Sequence, residues 1–211
     1  MPGEPLYDEI CISAMMKSVI NGGAEILRVA GARDVKIAKN FGTTVIGITK
    51  PDKLPENWKS VVYITPTLKD VELLIDAGAD IIAFDGTSRP RPNNCSLEDL
   101  ISGIHKAGKL AMADISTLKE GINCANLGAD IVSTTLSGYT DNSCGTDETP
   151  DFKLLEKLSK TVDIPVILEG RIWEPKEVKK AFELGAHAVV IGSAITRPQL
   201  ITKKFMEYKN A

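Results

Sequence analysis

The sequence predicts an α/β protein of the (β/α)8 TIM-barrel type. Three observations predict it: short apolar segments recur along the chain, amphipathic segments of helical length separate them, and one strand with its helix repeats about every 25 residues. The length of 211 residues suits one such domain spanning residues 1–211. An open, doubly wound sheet is the alternative, but the even spacing and the absence of a glycine-rich dinucleotide loop favour the barrel.

The strands are predicted from segments that are apolar throughout, because a parallel strand in a barrel is covered on both faces. Seven segments rich in Val, Ile and Ala meet this description. They are Ala24–Val29, Val45–Thr49, Asp80–Phe84, Leu110–Ile115, Ile131–Leu136, Pro165–Glu169 and Ala188–Gly192. A closed barrel requires one strand more, and the residues before the first helix include Pro2 and Pro5, which disfavour a strand. We therefore expect a barrel that lacks its first strand.

The helices are predicted from amphipathic periodicity and from the residues at their ends. The segments are Tyr7–Gly22, Thr67–Ala77, Leu97–Ala107, Leu118–Leu127, Phe152–Thr161 and Pro175–Leu184. Three capping-box patterns begin at Thr67, Ser96 and Thr117. Four of the helices are followed by a glycine suited to the left-handed conformation that ends a helix, namely Gly78, Gly108, Gly128 and Gly185.

Composition and charge exclude several classes of protein. A chain with 43% apolar and 25% charged residues is globular, and its net charge of -3 comes from interspersed charges, so nucleic acid is not expected as a partner. The start has no secretory signal pattern, and no apolar run approaches the roughly 20 residues that span a bilayer, so we expect a cytoplasmic protein with no membrane partner. No metal site is expected, because the cysteines and histidines lack metal-ligand spacing. These residues are Cys11, Cys95, Cys124, Cys144, His105 and His187. The cysteines are predicted to be free thiols.

Polar residues at the carboxyl ends of the strands are the candidate active-site residues, because the loops there form the active face of such a barrel. Each of the seven predicted strands carries such a group. The groups are Arg28, Lys50, Asp85, Asp114, Thr134 with Thr135, Glu169, and Gly192 with Ser193. The alternative is that polar residues only mark where strands leave the core.

Lys50 and Glu169 are the candidate acid and base. Lys50 ends an apolar strand and precedes Pro51, which favours a side chain over the barrel mouth. A lysine there can act as a general base if its pKa is lowered, or it can form a Schiff base. Glu169 can complete an acid/base pair or can only form an ion pair that holds the mouth together. Asp114 can orient the lysine, bind substrate hydroxyls or cap the next loop.

The loops after the last two strands are candidates for phosphate binding, because barrels often hold a phosphate there on backbone amides. Gly170 permits close backbone approach in the first loop, and Gly192 with Ser193 does so in the second. Arg171 and Arg197 lie nearby in sequence as charge partners. The alternative is that the glycines only make tight turns.

These residues lie in segments that resemble the N-acetylmannosamine-6-phosphate 2-epimerases of bacterial sialic-acid catabolism, and the resemblance covers nearly the whole chain. The segments are 45–50, 63–67, 111–117, 133–140, 169–172 and 191–198. In that family the chain usually begins with a strand that carries a substrate-binding glutamine just before the segment that starts here at Pro2.

The resemblance implies an epimerisation without a cofactor, in which N-acetylmannosamine 6-phosphate becomes N-acetylglucosamine 6-phosphate by proton removal and return at C2. It implies proton transfer by Lys50, acid/base work or ring opening by Glu169, and binding of the sugar or its phosphate by Arg28, Asp114 and Arg197. The expected partner is therefore a small phosphorylated amino sugar, and a homodimer is expected from the family and from an exposed barrel edge. Two alternatives remain open: a Schiff-base aldolase, and a barrel that binds a phosphosugar without turnover.

Overall fold

A computed structural model describes residues 3–143, 148–207 and 209 of the chain. Within these residues a single sheet of seven parallel strands follows the chain order from β1 to β7, with each strand paired to its neighbours in sequence. The strands are β1 Ile26–Ala30, β2 Thr44–Ile48, β3 Ile81–Asp85, β4 Leu110–Asp114, β5 Ile131–Ser133, β6 Val166–Glu169 and β7 Ala188–Val190. The predicted barrel of seven strands is confirmed, with β1 and β7 as the two edges of the sheet in the described residues.

Helices alternate with the strands and cover the outside of the barrel. They are α1 Glu9–Asn21, α2 Ala32–Lys39, α3 Leu68–Asp76, α4 Leu97–Lys106, α5 Leu118–Asn126, α6 Phe152–Ser159, α7 Pro175–Glu183, α8 Ser193–Thr196 and α9 Pro198–Glu207. Among the described residues, none of the helices has the length and apolar character needed to cross a bilayer.

The predicted ends of the helices are confirmed. Ser96 Oγ accepts a hydrogen bond from the Asp99 amide at 3.0 Å, and the Asp99 carboxylate accepts one from the Ser96 amide at 3.3 Å. The capping boxes that begin at Thr67 and Thr117 form as well. The four glycines that follow helices all have positive φ, at 96° for Gly78, 68° for Gly108, 95° for Gly128 and 95° for Gly185. Local sequence therefore determines where these helices start and stop.

The predicted strand Ile131–Leu136 is wrong in its second half. The strand ends at Ser133, and Thr134–Leu136 forms a 3-10 turn. The reason lies in the side chain of Thr134, whose hydroxyl donates to the Glu169 carbonyl and accepts from the Glu169 amide, both at 3.1 Å. This hydroxyl takes the place of the next backbone pair between β5 and β6, so the chain is free to turn across the barrel mouth.

Alternation along each strand separates an inner face from an outer face. The inward side chains fill the barrel with a small apolar core. Its buried residues are Ile46, Ile48, Ile64, Ile81, Ala83, Met112, Leu136 and Ile167. The outward residues, such as Val45 on β2 and Phe84 on β3, belong to a larger core shared with the helices. A polar residue at an inward position near a strand's carboxyl end must therefore project over the inner core into the mouth.

Gly47 provides a test of the outer packing, since it is the outward residue of β2 that lets two helices approach the sheet. A Cβ atom there would lie 3.0 Å from Ala79 Cβ, 3.1 Å from Leu74 Cδ2 and 3.2 Å from Val35 Cγ2. Gly47→Ala should therefore overpack this contact and lower the free energy of unfolding by about 1–3 kcal/mol. Urea denaturation measures the change, and an unaltered unfolding midpoint would contradict this packing.

Candidate active site

The barrel mouth brings together polar side chains from five strands and from the residues directly after them. In β2, β3 and β4 the inward positions end in Lys50, Asp85 and Asp114, each two residues beyond an inward apolar residue. Arg28 on β1 and Glu169 on β6 lie in the same site, because Arg28 contacts both Glu169 and Asp114. The structure thus places Arg28, Lys50, Asp114 and Glu169 in one site, as barrel topology requires for groups at strand ends.

Arg28 crosses the interior of the barrel and joins two carboxyl groups. Its Nη1 donates to Asp114 Oδ1 at 3.1 Å and its Nη2 to Asp114 Oδ2 at 2.6 Å. Its Nε lies 3.2 Å from Glu169 Oε2. The Arg28 side chain is 6% exposed and the Asp114 side chain is fully buried, so the paired geometry compensates the cost of burying both charges. Arg28 also links β1, an edge strand, to β4 and β6.

Glu169 lies in surroundings that favour its neutral form. Burial raises the pKa of its carboxyl group, and the negative charge of Asp114 adds to the rise, while the positive charges of Arg28 and Lys50 oppose it. The side chain keeps 20% exposure, so it remains accessible from the mouth. A carboxyl group of raised pKa that faces solvent can hold a proton and donate it.

Lys50 is shifted toward its neutral form. The residue keeps solvent contact at the rim of the mouth, but the surrounding protein desolvates its ammonium group, and this desolvation lowers the pKa of the lysine. The positive charge of Arg28 lowers it further and that of Arg197 adds a smaller effect, whereas Glu169 and Asp114 oppose the change. An amine of lowered pKa can accept a proton or form a Schiff base.

Thr135 and Ser133 complete the site, and the sequence alone did not assign them roles. Thr135 Oγ1 lies 2.8 Å from Asp114 Oδ1, 3.0 Å from Glu169 Oε2 and 2.9 Å from Ser133 Oγ. The signal for Thr135 was its place two residues beyond Ser133, which continues the inward positions of β5. The sequence grouped it with Thr134, whose side chain instead bonds to the Glu169 backbone.

The two candidate phosphate loops follow β6 and β7 at the same end of the barrel. Gly170 has φ of 109° and Gly192 precedes α8 with Ser193 as its first residue. Arg197 lies after α8, where its charge reaches Lys50 and its Nη2 pairs with Glu4 Oε1 at 3.1 Å. The backbone of both loops therefore borders the mouth.

The side chain of Arg171 points to the neighbouring loop. Its Nη1 donates to the Ser137 carbonyl and its Nε to the Thr149 carbonyl, both at 2.8 Å. These bonds brace the chain after β5 against the chain after β6. The guanidinium is thus engaged in holding two loops together, and its predicted contact with phosphate stays a prediction.

Asp85, another strand-end acid, is already neutralised by a partner that the sequence did not identify. It is fully buried, its Oδ2 lies 2.5 Å from Arg89 Nη2, and its Oδ1 accepts from the amide and the hydroxyl of Thr87 at 2.9 and 2.6 Å. Arg89 also donates to the Trp58 carbonyl at 2.9 Å. This pair therefore fixes the long segment between β2 and α3 over the mouth and is not available for chemistry on a substrate.

Metal ligands and thiols do not form a second centre in the part of the chain that the structure describes. There, His, Cys, Asp and Glu side chains form no group of three or more that could hold a metal ion. Cys11, Cys95 and Cys124 are free thiols, as predicted, and Cys144 lies outside the described residues.

Comparison with known proteins gives a consistent result. A family model described as putative N-acetylmannosamine-6-phosphate epimerase matches residues 12–211. A putative N-acetylmannosamine-6-phosphate 2-epimerase from Clostridium perfringens is 48% identical over 97% of this chain and 90% of its own length. One from Clostridioides difficile is 48% identical over 98% of this chain and 91% of its own length. The solved structure of the N-acetylmannosamine-6-phosphate 2-epimerase from Clostridium perfringens matches with a TM-score of 0.93 and 47% identity, over 99% of this chain and 89% of that one.

Proposed function

The chain belongs to the N-acetylmannosamine-6-phosphate epimerase family, and from this membership we propose that it converts N-acetylmannosamine 6-phosphate to N-acetylglucosamine 6-phosphate in the degradation of sialic acid. The observation that supports the reaction best is the pair of shifted groups at the mouth. The pKa of Lys50 is lowered and the pKa of Glu169 is raised, so the two groups can carry the opposite protonation states that an acid/base reaction needs.

Lys50 is the proposed base. In the open-chain aldehyde, C2 of the sugar is adjacent to the carbonyl carbon, so its proton is acidic enough to be removed when the resulting enolate is stabilised. The neutral amine of Lys50 takes this proton and becomes an ammonium group. Because desolvation and Arg28 lower the pKa of Lys50, a larger fraction of the amine is neutral near pH 7 than for a lysine with no charged or desolvating neighbours.

Glu169 is the proposed acid. The planar enolate is achiral at C2, so a proton delivered to the face opposite Lys50 produces the other epimer. Glu169 donates this proton and becomes a carboxylate, and exchange with water then restores both groups. Burial keeps Glu169 protonated to higher pH than an exposed glutamate, which suits this role.

The remaining groups are proposed to bind the substrate. Arg28, held by Asp114, forms the floor of the mouth and carries the positive charge that stabilises a developing enolate oxygen. Asp114 acts mainly through Arg28, because both of its oxygens accept from that guanidinium. The phosphate is proposed to bind to backbone amides at Gly170, Arg171, Gly192 and Ser193 and to the side chain of Arg197.

A turnover experiment distinguishes this function from its alternatives. Proton NMR of N-acetylmannosamine 6-phosphate with the protein should show the resonances of N-acetylglucosamine 6-phosphate, and borohydride added with substrate should not inactivate the protein. Inactivation by borohydride would favour a Schiff-base aldolase, since Lys50 also has the lowered pKa that such chemistry needs. Binding of the substrate without product would favour the barrel that only binds a phosphosugar.

Two further expectations accompany the proposed reaction. We propose that the protein works in the cytoplasm, where its free thiols remain reduced. Association as a homodimer stays a prediction, and the structural reason for it is that β1 and β7 are the edges of the sheet in the described residues.

A further inference from the structure

The hydroxyl group of Thr135 has three oxygen atoms within hydrogen-bond distance but only one hydrogen to donate. Its Oγ1 lies within hydrogen-bond distance of Ser133 Oγ at 2.9 Å, Asp114 Oδ1 at 2.8 Å and Glu169 Oε2 at 3.0 Å. A threonine hydroxyl has one hydrogen to donate and two lone pairs that accept. If all three contacts are hydrogen bonds, two of the three neighbours donate to Thr135, and a carboxylate has no hydrogen to donate.

The hydroxyl of Ser133 is one of these donors. If Thr135 instead donated to Ser133, its lone pairs would face both carboxyl oxygens, and two partly buried contacts at 2.8 and 3.0 Å would be repulsive unless both acids were protonated. With Ser133 as donor, Thr135 donates to one carboxyl group. The other carboxyl group can then form a hydrogen bond with Thr135 only if it carries a proton and donates it.

The proton belongs on Glu169 and not on Asp114. Asp114 is fully buried, and both of its oxygens accept from the Arg28 guanidinium, at 3.1 and 2.6 Å, which stabilises the ionised form. Among the described residues, Glu169 forms one ion-pair contact, in which Arg28 Nε lies 3.2 Å from the same Oε2 that faces Thr135. The charged groups that face Glu169 are Arg28 from β1, Lys50 after β2 and Asp114 from β4.

We propose that Thr135 is a positioning residue for the reaction: it accepts a hydrogen bond from the protonated carboxyl group of Glu169 and donates one to the carboxylate of Asp114, and thereby holds Glu169 as the acid. The arrangement of atoms is Glu169 Oε2–H to Thr135 Oγ1–H to Asp114 Oδ1. The role of this acid in catalysis rests on the proposed function, whereas the position of the proton does not.

Infrared spectroscopy of the free protein tests the position of the proton. Protonated carboxyl groups have a carbonyl stretch that carboxylates lack, and the part of this signal that disappears in Glu169→Gln belongs to Glu169. In the wild-type protein this part should persist to higher pH than the signal of exposed carboxyl groups. In Thr135→Val, which removes the hydroxyl at nearly constant volume, its titration midpoint should fall by about one pH unit, because the protonated form loses its acceptor. Thr135→Ser keeps the hydroxyl and should titrate like the wild type.

Turnover gives the second readout. In Thr135→Val the kcat should fall about tenfold with KM nearly unchanged, and Thr135→Ser should restore it. A midpoint that rises in Thr135→Val would show that Thr135 donates to an ionised Glu169 and would overturn the proposal, as would an unchanged midpoint. Absence of a Glu169 signal in the wild type would overturn it even if Thr135→Val did not fold. A lowered midpoint without any epimerase activity would leave the proton on Glu169 and reject the proposed function alone.

Discussion

Replacing Lys50 with methionine should lower kcat by about 10²- to 10⁴-fold, the usual contribution of a positioned general base. Methionine keeps most of the length of the side chain and removes the amine that takes the proton from C2. Because Lys50 lies at the rim of the mouth and keeps solvent contact, the fold should tolerate the change. Initial rates of N-acetylglucosamine 6-phosphate formation measure the effect.

Lys53→Met is the matched control, since Lys53 is an exposed lysine in the same loop and lies three residues further along the chain. It should keep the wild-type rate. Equal rates in the two variants would remove Lys50 from the mechanism, and a rate loss without a change in the thermal midpoint would assign it to the chemistry.

Replacing Arg28 with methionine should cost about 3–5 kcal/mol in the free energy of unfolding, because it leaves buried carboxyl groups without their counterion. Asp114 is fully buried and Glu169 is 20% exposed, and both lie against this one guanidinium. The variant should also lose activity, since the mouth loses the positive charge that is proposed to stabilise the enolate oxygen. Chemical denaturation and the thermal midpoint measure the loss of stability.

The loss should depend on pH with a definite sign. Arg28 lowers the pKa of Glu169, so its removal raises the pKa of that carboxyl group in the folded state. A folded state that binds more protons than the unfolded chain loses stability as pH rises. The deficit of Arg28→Met should therefore be small near pH 4, around the pKa of unfolded carboxyl groups, and should grow toward neutral pH.

Lys160→Met is a control for removing a cation, because Lys160 and its partner Glu156 are 70% and 44% exposed. Exposed pairs of this kind contribute little to stability. A deficit in Arg28→Met that matched this control, or that did not change with pH, would contradict the buried network of Arg28, Asp114 and Glu169.

The fold could be predicted from the sequence because its signals are local. The apolar segments, the capping boxes at Thr67, Ser96 and Thr117, and the glycines after helices each depend on a few neighbouring residues. The convergence of Lys50 and Glu169 could also be predicted, since a parallel barrel brings the carboxyl ends of all its strands to one rim.

What the sequence could not provide depends on contacts between distant residues. The strand β5 stops at Ser133 because the hydroxyl of Thr134 bonds to the backbone of Glu169, 35 residues away. Arg171 is drawn to the carbonyls of Ser137 and Thr149. In each case a side chain bonds to a backbone group of a distant segment. Periodicity and spacing carry no information about which distant groups come into contact.

The partner of Asp85 could have been suspected, because Arg89 follows it by four residues. Arg89 lies in the proline-rich segment Ser88–Pro92, whose composition predicts a loop but no partner for its charges. The structure shows that this loop returns the guanidinium to the strand end and buries the pair. A strand-end acid is therefore a candidate for catalysis only after its nearest cations are known.

Solvent deuterium at C2 is the measurement that tests the proposed reaction most directly. The protein is incubated with N-acetylmannosamine 6-phosphate in deuterated water, and the C2 proton is followed by NMR in the wild type, Lys50→Met and Lys53→Met. Deuterium should enter C2 as the gluco product forms, and exchange should be lost in Lys50→Met alone. Exchange that continues in Lys50→Met would contradict proton removal by Lys50. Product that retains its original C2 proton would contradict delivery of a second proton by Glu169.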